Sequence, residues 1–330
     1  MGAMSHQLGF AAESVFGTVE TPTRFFEFES EGIEETEGRT EGEHLRPGSG
    51  YQRSDRHTPY FKGAAGPLVL PVMTKGFGFF LPHLMGGTVG TTGPAETTVY
   101  SHTVAEGDLY GNSFTCQLNR PFHPSGTDQA FTYSGGKIPE WELANAVDGN
   151  LMLTLTTDFA AVDTDTEPMA AVSYPTGMDN FTWAGGVVSI GGVDYDVDEF
   201  ALKVNNGLNV ERRKIRANTM KKEPTAGRRS ATFSIKADFE SMTQRARAHA
   251  TTKAGNLAAI TGTWEGPAIV TGATTLKPQL KVTMTACRFD AWKGAVDGPN
   301  AIGQELSGVV RYDGTNSPLT ILVKSSDATP

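Results

Sequence analysis

Histidine is the residue type of this sequence best suited to binding a metal, and its members form no recognisable site. None of the seven stands at the HExxH, HxH or Cys-His spacing that metal motifs require. The seven are His6, His44, His57, His83, His102, His123 and His249. The sequence therefore predicts no zinc site and no bound cofactor.

The two cysteines offer little more for chemistry. Cys116 and Cys287 are far apart in the chain and belong to no CxxC motif. Two buried free thiols are the main interpretation. A single disulfide or a reactive thiol is the alternative.

Acidic clusters suggest calcium binding by their alternation. Asp194, Asp196 and Asp198 form one such cluster, and residues 163, 165 and 167 form a second. Neither continues into a twelve-residue calcium loop with its glycine and terminal glutamate. Carboxylates at turns and strand edges are the better interpretation.

Two further patterns could indicate an enzyme. Glu140 and Glu142 flank Trp141, a spacing that would suit the paired acids of a glycosidase. Alternation along a strand instead places Trp141 in the core and both carboxylates in solvent. Gly76 and Gly78 begin a GxG pattern without its third glycine, and there is no phosphate loop or nucleophile elbow. The chain is not predicted to be an enzyme.

Composition indicates an ordered protein of strands and turns. The 330 residues include 38 Gly and 18 Pro, so long helices should not dominate, while 38% hydrophobic residues suffice for a core. The formal charge of −9 opposes whole-surface binding to nucleic acid, because phosphates need a Lys/Arg footprint. We expect no secretory signal in the first twenty residues and no membrane span.

A row of odd-numbered acids near the start predicts a charged face. Arg24–Ser30 alternates as a strand, with Phe26 and Phe28 on one side and acids on the other. The row is Glu27, Glu29, Glu31, Glu35 and Glu37. An ordinary solvated charge run is the alternative.

The order of elements predicts two β domains in tandem. We expect an N-terminal arm at 1–20, a first domain at 21–162, a linker at 163–176 and a second domain at 177–330. Each domain would hold a strand, a long charged arm, a returning strand, a short helix and a β-meander. The most similar local segments of the two halves are KIPEWEL (137–143) and LKPQLKV (276–282). Identity between the halves is otherwise slight, so duplication is a hypothesis.

The strand candidates are specific. They are Pro59–Met73, Val99–Val104, Ser113–Leu118, Ala130–Tyr133, Lys137–Leu143, Asn150–Asp158, Val197–Asn205, Ser230–Asp238, Gly255–Trp264, Thr275–Phe289, Glu305–Tyr312 and Leu319–Val323. Helices are predicted within Thr74–Met85 and at Phe239–Lys253.

The two arms carry opposite charge, which could give copies of the chain orientation and register when they stack. The first arm combines the acidic stretch Glu27–Glu43, with eight Glu against one Arg, and the projecting loop Gly42–His57. The second arm is Gly207–Arg229, in which Glu211–Arg229 carries eight Lys and Arg against two Glu. The assembly candidates are Glu41, Glu43, Arg46, Arg53, Arg56, Arg212, Arg213, Lys214, Arg216, Lys221, Lys222, Arg228 and Arg229. Ordinary solvated hairpins are the alternative.

Three segments together resemble the tail tube proteins of long, non-contractile-tailed bacteriophages, in the class of roughly 300 residues. Gly9–Glu35 is similar to the family's opening, with a Gly-rich start, an E-x-x-(F/Y)-G-T stretch and a Pro before an F-x-x-E strand. Phe131–Asn145 is similar to its aromatic-Gly-strand segment. Val197–Glu211 matches a strand that ends in an Asn-rich turn before a long arm.

The resemblance implies a compact β-sandwich with a flanking helix, whose strands join a continuous barrel in a ring. Rings would stack into a hollow virion tube for DNA ejection, with three chains per ring if each holds two folds and six if it holds one. Tape-measure, terminator and distal tail proteins would be partners, and the host bacterial cytoplasm the place of synthesis. We expect the five odd-numbered acids to line the lumen and repel DNA, which passes without specific binding.

Other functions stay open at this stage. A capsid decoration protein, a baseplate subunit or the tube of a secretion machine would share the same β-rich blocks. A carbohydrate-binding β-sandwich would instead use Trp141, Trp183 or Trp264 as an exposed stacking platform.

Overall fold

The structure is a computed structural model of the chain. It describes residues 5–42, 47–48, 50–95, 98–122, 127–164, 169–215, 218–269, 275–294 and 302–330. The fold is mainly β, as predicted. No helix in the described ranges is long and apolar enough to span a membrane.

Nineteen strands and two short α-helices make up the regular structure of these residues. The strands of the first part are β1 (Leu8–Ala12), β2 (Arg24–Phe25), β3 (Ser30–Glu31), β4 (Glu34–Glu41), β5 (His57–Pro71), β6 (Gly90–Ala95), β7 (Val99–Ala105), β8 (Phe114–Asn119), β9 (Ala130–Ala146), β10 (Met152–Phe159) and β11 (Ala161–Asp163). Those of the second are β12 (Gly186–Ile190), β13 (Val193–Tyr195), β14 (Val197–Asn205), β15 (Ser230–Asp238), β16 (Leu257–Glu265), β17 (Gln279–Gly294), β18 (Gly303–Arg311) and β19 (Leu319–Ser325). Helix α1 is Phe80–Met85 and helix α2 is Thr243–Ala248; short 3-10 turns stand at Phe77–Phe79 and Trp183–Gly185.

Eight strands form what we call the principal sheet, in the order β4–β5–β10–β9–β14–β15–β18–β17, with every neighbour antiparallel. Strand β3 precedes β4 along the same edge of β5. The strong alternation of buried and exposed residues along β14 and β15 is typical of a sheet with one packed face.

The two longest strands each belong to two parts of the sheet network. The first half of β9 pairs with β8 and β11, and its second half pairs with β10 and β14. Likewise β17 pairs with β19 in its first half and with β18 in its second. Strands β2 and β1 extend the sheet from β8, and the row β13–β12–β16 flanks β17.

A cluster of phenylalanines anchors the first part of the chain. Phe10 contacts the rings of Phe26, Phe80 and Phe114 at centroid distances between 5.3 and 5.7 Å, and all four side chains are buried. The predicted packing of the short helix is confirmed, because Phe80 and its aromatic neighbours face this core. Aromatic pairs at these distances add specific attraction to the area that they bury.

Several element predictions are confirmed and others are wrong. Strands β14 and β15 have the predicted bounds, but Ala130–Tyr133 and Lys137–Leu143 are parts of the single strand β9. Arg24–Ser30 is not one strand, because Phe25 and Phe26 are both buried and the alternation breaks between them. Helix α2 has six residues only, because the backbone of Phe239 bonds to Ile302 and the chain before the helix is not helical.

The predicted linker separates segments that then pair with one another. Residues 169–175 have no regular structure. Yet β14 pairs with β9 across seven residue pairs, β19 pairs with β7, and the core contains residues from both sides of the linker. The two halves therefore share one sheet network and one core.

Candidate functional site

The eight strands of the principal sheet follow the same order twice. In each half the two strands of a hairpin are followed across the sheet by a shorter strand and then by the long strand that comes just before that shorter strand in the chain. The order is β4–β5–β10–β9 in the first half and β14–β15–β18–β17 in the second. Both long strands carry a β-bulge just before a tryptophan, which is Trp141 in β9 and Trp292 in β17. In this order KIPEWE (137–142) is level with RFDAWK (288–293), whereas the sequence alone suggested residues 276–282 as its counterpart.

The two four-strand units meet at β9 and β14, which we call the internal joint. Trp141 lies opposite Val204 and Leu143 opposite Leu202, and all four side chains are buried. On the other face Glu142 lies opposite Lys203, whose ammonium is 2.7 Å from the carboxylate of Glu140. The joint therefore combines an apolar face with a charged one.

The principal sheet ends in two edges that lack a partner strand among the described residues. One is the outer edge of β4, which pairs only with β5. The other is the end of β17 from Ala291 to Gly294, where β18 covers one side. Free edges of this kind are templates for pairing with another chain.

One face of the principal sheet, here called the open face, carries exposed or half-buried side chains that alternate with the buried ones. Its charged groups are Glu34, Glu140, Glu142, Glu199, Lys203, Lys236, Arg288, Lys293 and Glu305, and most of the remainder are Ser, Thr, Ala and Pro.

Cations on the open face are held by acids of the same or neighbouring strands. Lys236 lies 2.7 Å from Glu199, Lys293 lies 3.4 Å from Glu305, and Arg288 lies 2.6 Å from Asp290. All six side chains are well exposed, so these pairs add little stability. They do leave less unpaired positive charge on this face.

Glu31 is not the free carboxylate that the lumen prediction expects. Arg120 donates two hydrogen bonds to it at 2.9 and 2.7 Å, a third to the hydroxyl of Tyr133, and stacks over Phe131. Burial raises the pKa of Glu31, but the hydrogen bonds from Arg120 and from the amide of Ile33 outweigh it and hold this pKa below its ordinary value. Its charge is neutralised within the chain.

The remaining predicted acids do not share one surface. Glu35 and Glu37 are exposed, but they follow the alternation of Ile33, which is buried, and so lie on the face opposite the open face. Glu29 instead lines a shallow depression beside Glu142 and Glu199 at the end of the open face. Glu27 is exposed. Equal parity places Glu31, Glu35 and Glu37 on one face, but it does not extend to Glu29 because the chain is irregular between β2 and β3.

The second arm is fixed to the body of the protein by two buried ion pairs. The ammonium of Lys221 lies 2.5 Å from Asp158, and the ammonium of Lys137 lies 2.5 Å from Glu223. Burial raises the pKa of Asp158 more than Lys221 lowers it, and burial likewise lowers the pKa of Lys137. Pairs of this kind define position more than they add net stability.

Other predicted arm residues divide into engaged and exposed groups. Arg212 donates to the carbonyl of Glu223, Arg213 to the carbonyls of Lys62 and Thr219, and Arg229 to those of Met85 and Gly107. The exposed members are Glu41, Arg53, Arg56, Lys214, Lys222 and Arg228. Glu43, Arg46 and Arg216 lie outside the described residues.

An exposed aromatic platform is not formed by the predicted tryptophans. Trp141 and Trp264 are each 1% exposed, and only Trp183 of the three is exposed. Cys116 and Cys287 are buried free thiols, as in the main interpretation, and burial raises the pKa of Cys287 to about 12.

A family model described as phage tail tube protein matches residues 5–310. The chain belongs to the phage tail tube protein family. No curated protein matches the sequence. Membership makes the chain a structural component of the virion tail, in a family that assembles into a tube and contacts other tail proteins, and this is not a family of enzymes.

The motifs that carried the resemblance to tail tube proteins have structural roles here. In the E-x-x-F-G-T stretch, the buried carboxylate of Glu13 accepts hydrogen bonds from the amides of Gly17 and Gly135 and from the hydroxyl of Thr115. In the Asn-rich turn, the buried amide of Asn206 donates to the carbonyls of Leu84 and Ile138. Both residues satisfy backbone groups where separate segments meet.

Sequence reasoning missed Arg120, Lys137 and Asp158 as organising residues. Their partners are 63 to 89 positions away in the chain, so no local pattern joins them. The one available signal was a charged residue inside an otherwise apolar strand, as at Lys137 in β9.

Proposed function

We propose that this tail tube protein closes with copies of itself into a ring by pairing the free edges of β4 and β17. Rings then stack into the hollow tail tube through which DNA is ejected into the host. The observation that carries the proposal is the repeated strand order of the principal sheet, which ends in two unpaired edges. Closing a sheet into a barrel removes such edges.

Three copies form each ring in this proposal. Each chain supplies two four-strand units with the same order, so three chains supply six units around a pseudo-six-fold axis. The internal joint between β9 and β14 supports this count, because it already links two units inside one chain. Duplication of an ancestral unit explains why both long strands place a bulge before a tryptophan.

The open face of the principal sheet lines the bore. It consists of small polar and apolar side chains together with lysines and an arginine that acids already hold. A tube that conducts DNA must not bind phosphate tightly, and the affinity of a protein for nucleic acid grows with the number of its free cations that contact phosphates. In this proposal Glu29 and Glu34 face the bore, while Glu35 and Glu37 do not.

Exposed arm residues make the contacts between rings. Lys214, Lys222 and Arg228 of the second arm and Glu41 of the first are exposed, and so are Arg53 and Arg56 of the first, which lie beside Asp55. Lys221 and Arg229 instead position the arm on its own chain. Ile215, fully exposed beside Lys214, adds an apolar group to this contact. Tape-measure, terminator and distal tail proteins bind in the bore and at the tube ends.

Electron microscopy of the concentrated, purified protein tests the proposal. We expect tubes whose averaged cross-section has three-fold symmetry with a six-fold outline, and a density map with the open face toward the bore. A protein that stays monomeric by analytical ultracentrifugation at every concentration would contradict the ring. A map with the open face outside would contradict the bore.

A further inference from the structure

We infer that the joint between neighbouring copies repeats the internal joint in register, so that Lys293 of one copy lies opposite Glu34 of the next. The inference rests on the proposed ring and adds the residues that meet at its interface. The occupant of the free β4 edge is thus the end of β17 from a second copy of this chain.

The internal joint supplies the template. The amide of Asn206 donates to the carbonyl of Pro139 at 2.8 Å, which makes these two a hydrogen-bonded pair. Hydrogen-bonded and non-hydrogen-bonded pairs alternate along an antiparallel ladder, so Trp141 and Val204 are the next hydrogen-bonded pair. Glu142 and Lys203, one position further on, are therefore a non-hydrogen-bonded pair. Side chains are closest in pairs of the second kind.

Strand order transfers this template to the free edges. On the long strands, Thr156 of β10 faces Glu140, and its counterpart Ser307 of β18 faces Ala291. Two residues further on, Lys293 is therefore level with Glu142.

The hairpins give the matching position on the other side. In the second half, Ser307 of β18 lies opposite Ser234 of β15, which lies opposite Ala201 of β14. In the first half, Thr156 of β10 lies opposite Pro67 of β5, whose carbonyl accepts a hydrogen bond from the amide of Gly32. Two residues further on, Glu34 is therefore level with Lys203. The joint between copies sets Trp292 opposite Glu35 and Ala291 opposite Thr36.

Charge complementarity supports the register. The internal joint sets an acid of the long strand opposite a base of the hairpin, Glu142 against Lys203. The corresponding pair between copies has a base on the long strand and an acid on the hairpin, Lys293 against Glu34. A slip of one residue would place Lys293 and the Glu34 side chain on opposite faces of the sheet.

Backbone groups on the edge of β4 fit the same register. The amide of Gly32 donates to Pro67 of β5, so alternation directs the amide and carbonyl of Glu35 toward the free edge. Those of Ile33 are already bonded to Glu31 and Arg120. The new ladder therefore starts beyond Ile33, at Glu34.

Trp292 is the side chain that the neighbour would cover. It contacts Phe239 and Arg245 and donates to Gln304, yet it is half-buried, whereas the equivalent Trp141 is 1% exposed beneath β14. A second copy of β4 across the joint would complete the burial that β14 gives to Trp141.

Charge reversal tests the pair in the full chain. Lys293→Glu and Glu34→Lys should each raise the protein concentration needed for tube formation by roughly tenfold, because like charges then face each other at every joint. The double variant should return to within about threefold of the wild type. Glu35→Lys, one residue away on the opposite face, is the matched control and should not be rescued by Lys293→Glu. Rescue of the control, or none of the double variant, would overturn the register.

Disulfide cross-linking provides a second readout that does not depend on charge. Assembled tubes of the Glu34→Cys, Lys293→Cys double variant should form a ladder of linked chains on oxidation, because the paired side chains meet at disulfide range. The Glu35→Cys, Lys293→Cys variant should not. Tubes of normal form that cross-link through the Glu35→Cys, Lys293→Cys pair instead would overturn this inference alone, whereas a wild-type protein without rings would overturn the proposed function as well.

Discussion

The ammonium of Lys221 lies 2.5 Å from the carboxylate of Asp158, and both side chains are more than nine-tenths buried. This pair joins the second arm to the end of β10, next to the base of the first hairpin. Arg213 adds a hydrogen bond to the carbonyl of Lys62 in that hairpin. The second arm is thus held against the first hairpin of its own chain before any neighbour is present.

Breaking this pair should destabilise the protein strongly. Asp158→Asn leaves the lysine buried without its counter-charge, so the free energy of unfolding should fall by about 3–5 kcal/mol in urea titrations. Replacing both residues by Leu and Met should cost much less. Glu199→Gln, in an exposed pair with Lys236, is the control and should cost under about 1 kcal/mol. Equal losses at both sites would refute the role of burial.

Acid should destabilise the fold through His83. This side chain is buried between Phe79 and Phe114, and burial lowers its pKa from 6.5 to about 4. As the pH falls, the unfolded chain therefore binds the proton before the folded chain does. The contribution of neutral His83 to the free energy of unfolding is fully present above pH 6.5, and about 3 kcal/mol of it is lost as the pH falls toward 4. Comparing wild type with His83→Phe in denaturant titrations at several pH values isolates the effect, and parallel curves would exclude it.

Both native thiols should be unreactive in the folded protein. Cys116 and Cys287 are buried, and burial raises the pKa of each thiol, so little thiolate forms at neutral pH. A chromogenic disulfide reagent should label neither before denaturant is added and both afterwards. Rapid labelling of the native protein would show that one thiol is accessible.

Removing the acids that pair with the lysines of the open face should make the bore bind DNA. Glu140→Gln and Glu199→Gln remove the acids that hold Lys203 and Lys236. Tubes of this double variant should still form but should retain DNA at low salt and release it as the salt rises. Glu265→Gln, which frees Lys277 outside the principal sheet, is the matched control. Equal DNA retention by both variants would place the bore elsewhere.

Reversing the exposed charges of the second arm should hinder stacking without unfolding the subunit. Lys214→Glu together with Lys222→Glu should give shorter tubes or single rings with an unchanged circular dichroism spectrum. Lys253→Glu, exposed in the turn before β16, is the control. Tubes of normal length from the arm variant would show that these lysines are merely solvated.

Sequence patterns predicted the strands where one face is buried along their full length. Strands β14 and β15 alternate from Phe200 and Phe233 onward, and their bounds were predicted without error. Strand β9 was predicted as two pieces because Gly135 and Gly136 look like a turn, whereas Gly135 has a positive φ within a strand that passes from one group of partners to another.

Site residues were harder to predict because their surroundings come from distant strands. The parity of Glu31 and Glu35 was correct along β3 and β4, but parity alone does not say which face is packed. Ile33 and the distant Arg120 decide that. A similar order of elements in both halves was expected, yet the register that sets Trp141 level with Trp292 came only from strand pairing, because these two residues stand among otherwise dissimilar ones.

The internal joint also bears on the timing of assembly. Strands β9 and β14 meet within one polypeptide, where tethering gives an effective concentration that does not depend on how much protein the cell has made. In the proposed ring, contacts through β4 and β17 require two molecules to collide. A nucleating partner that offers just one of these edges would therefore be enough to decide when polymer growth begins and in which direction each ring closes.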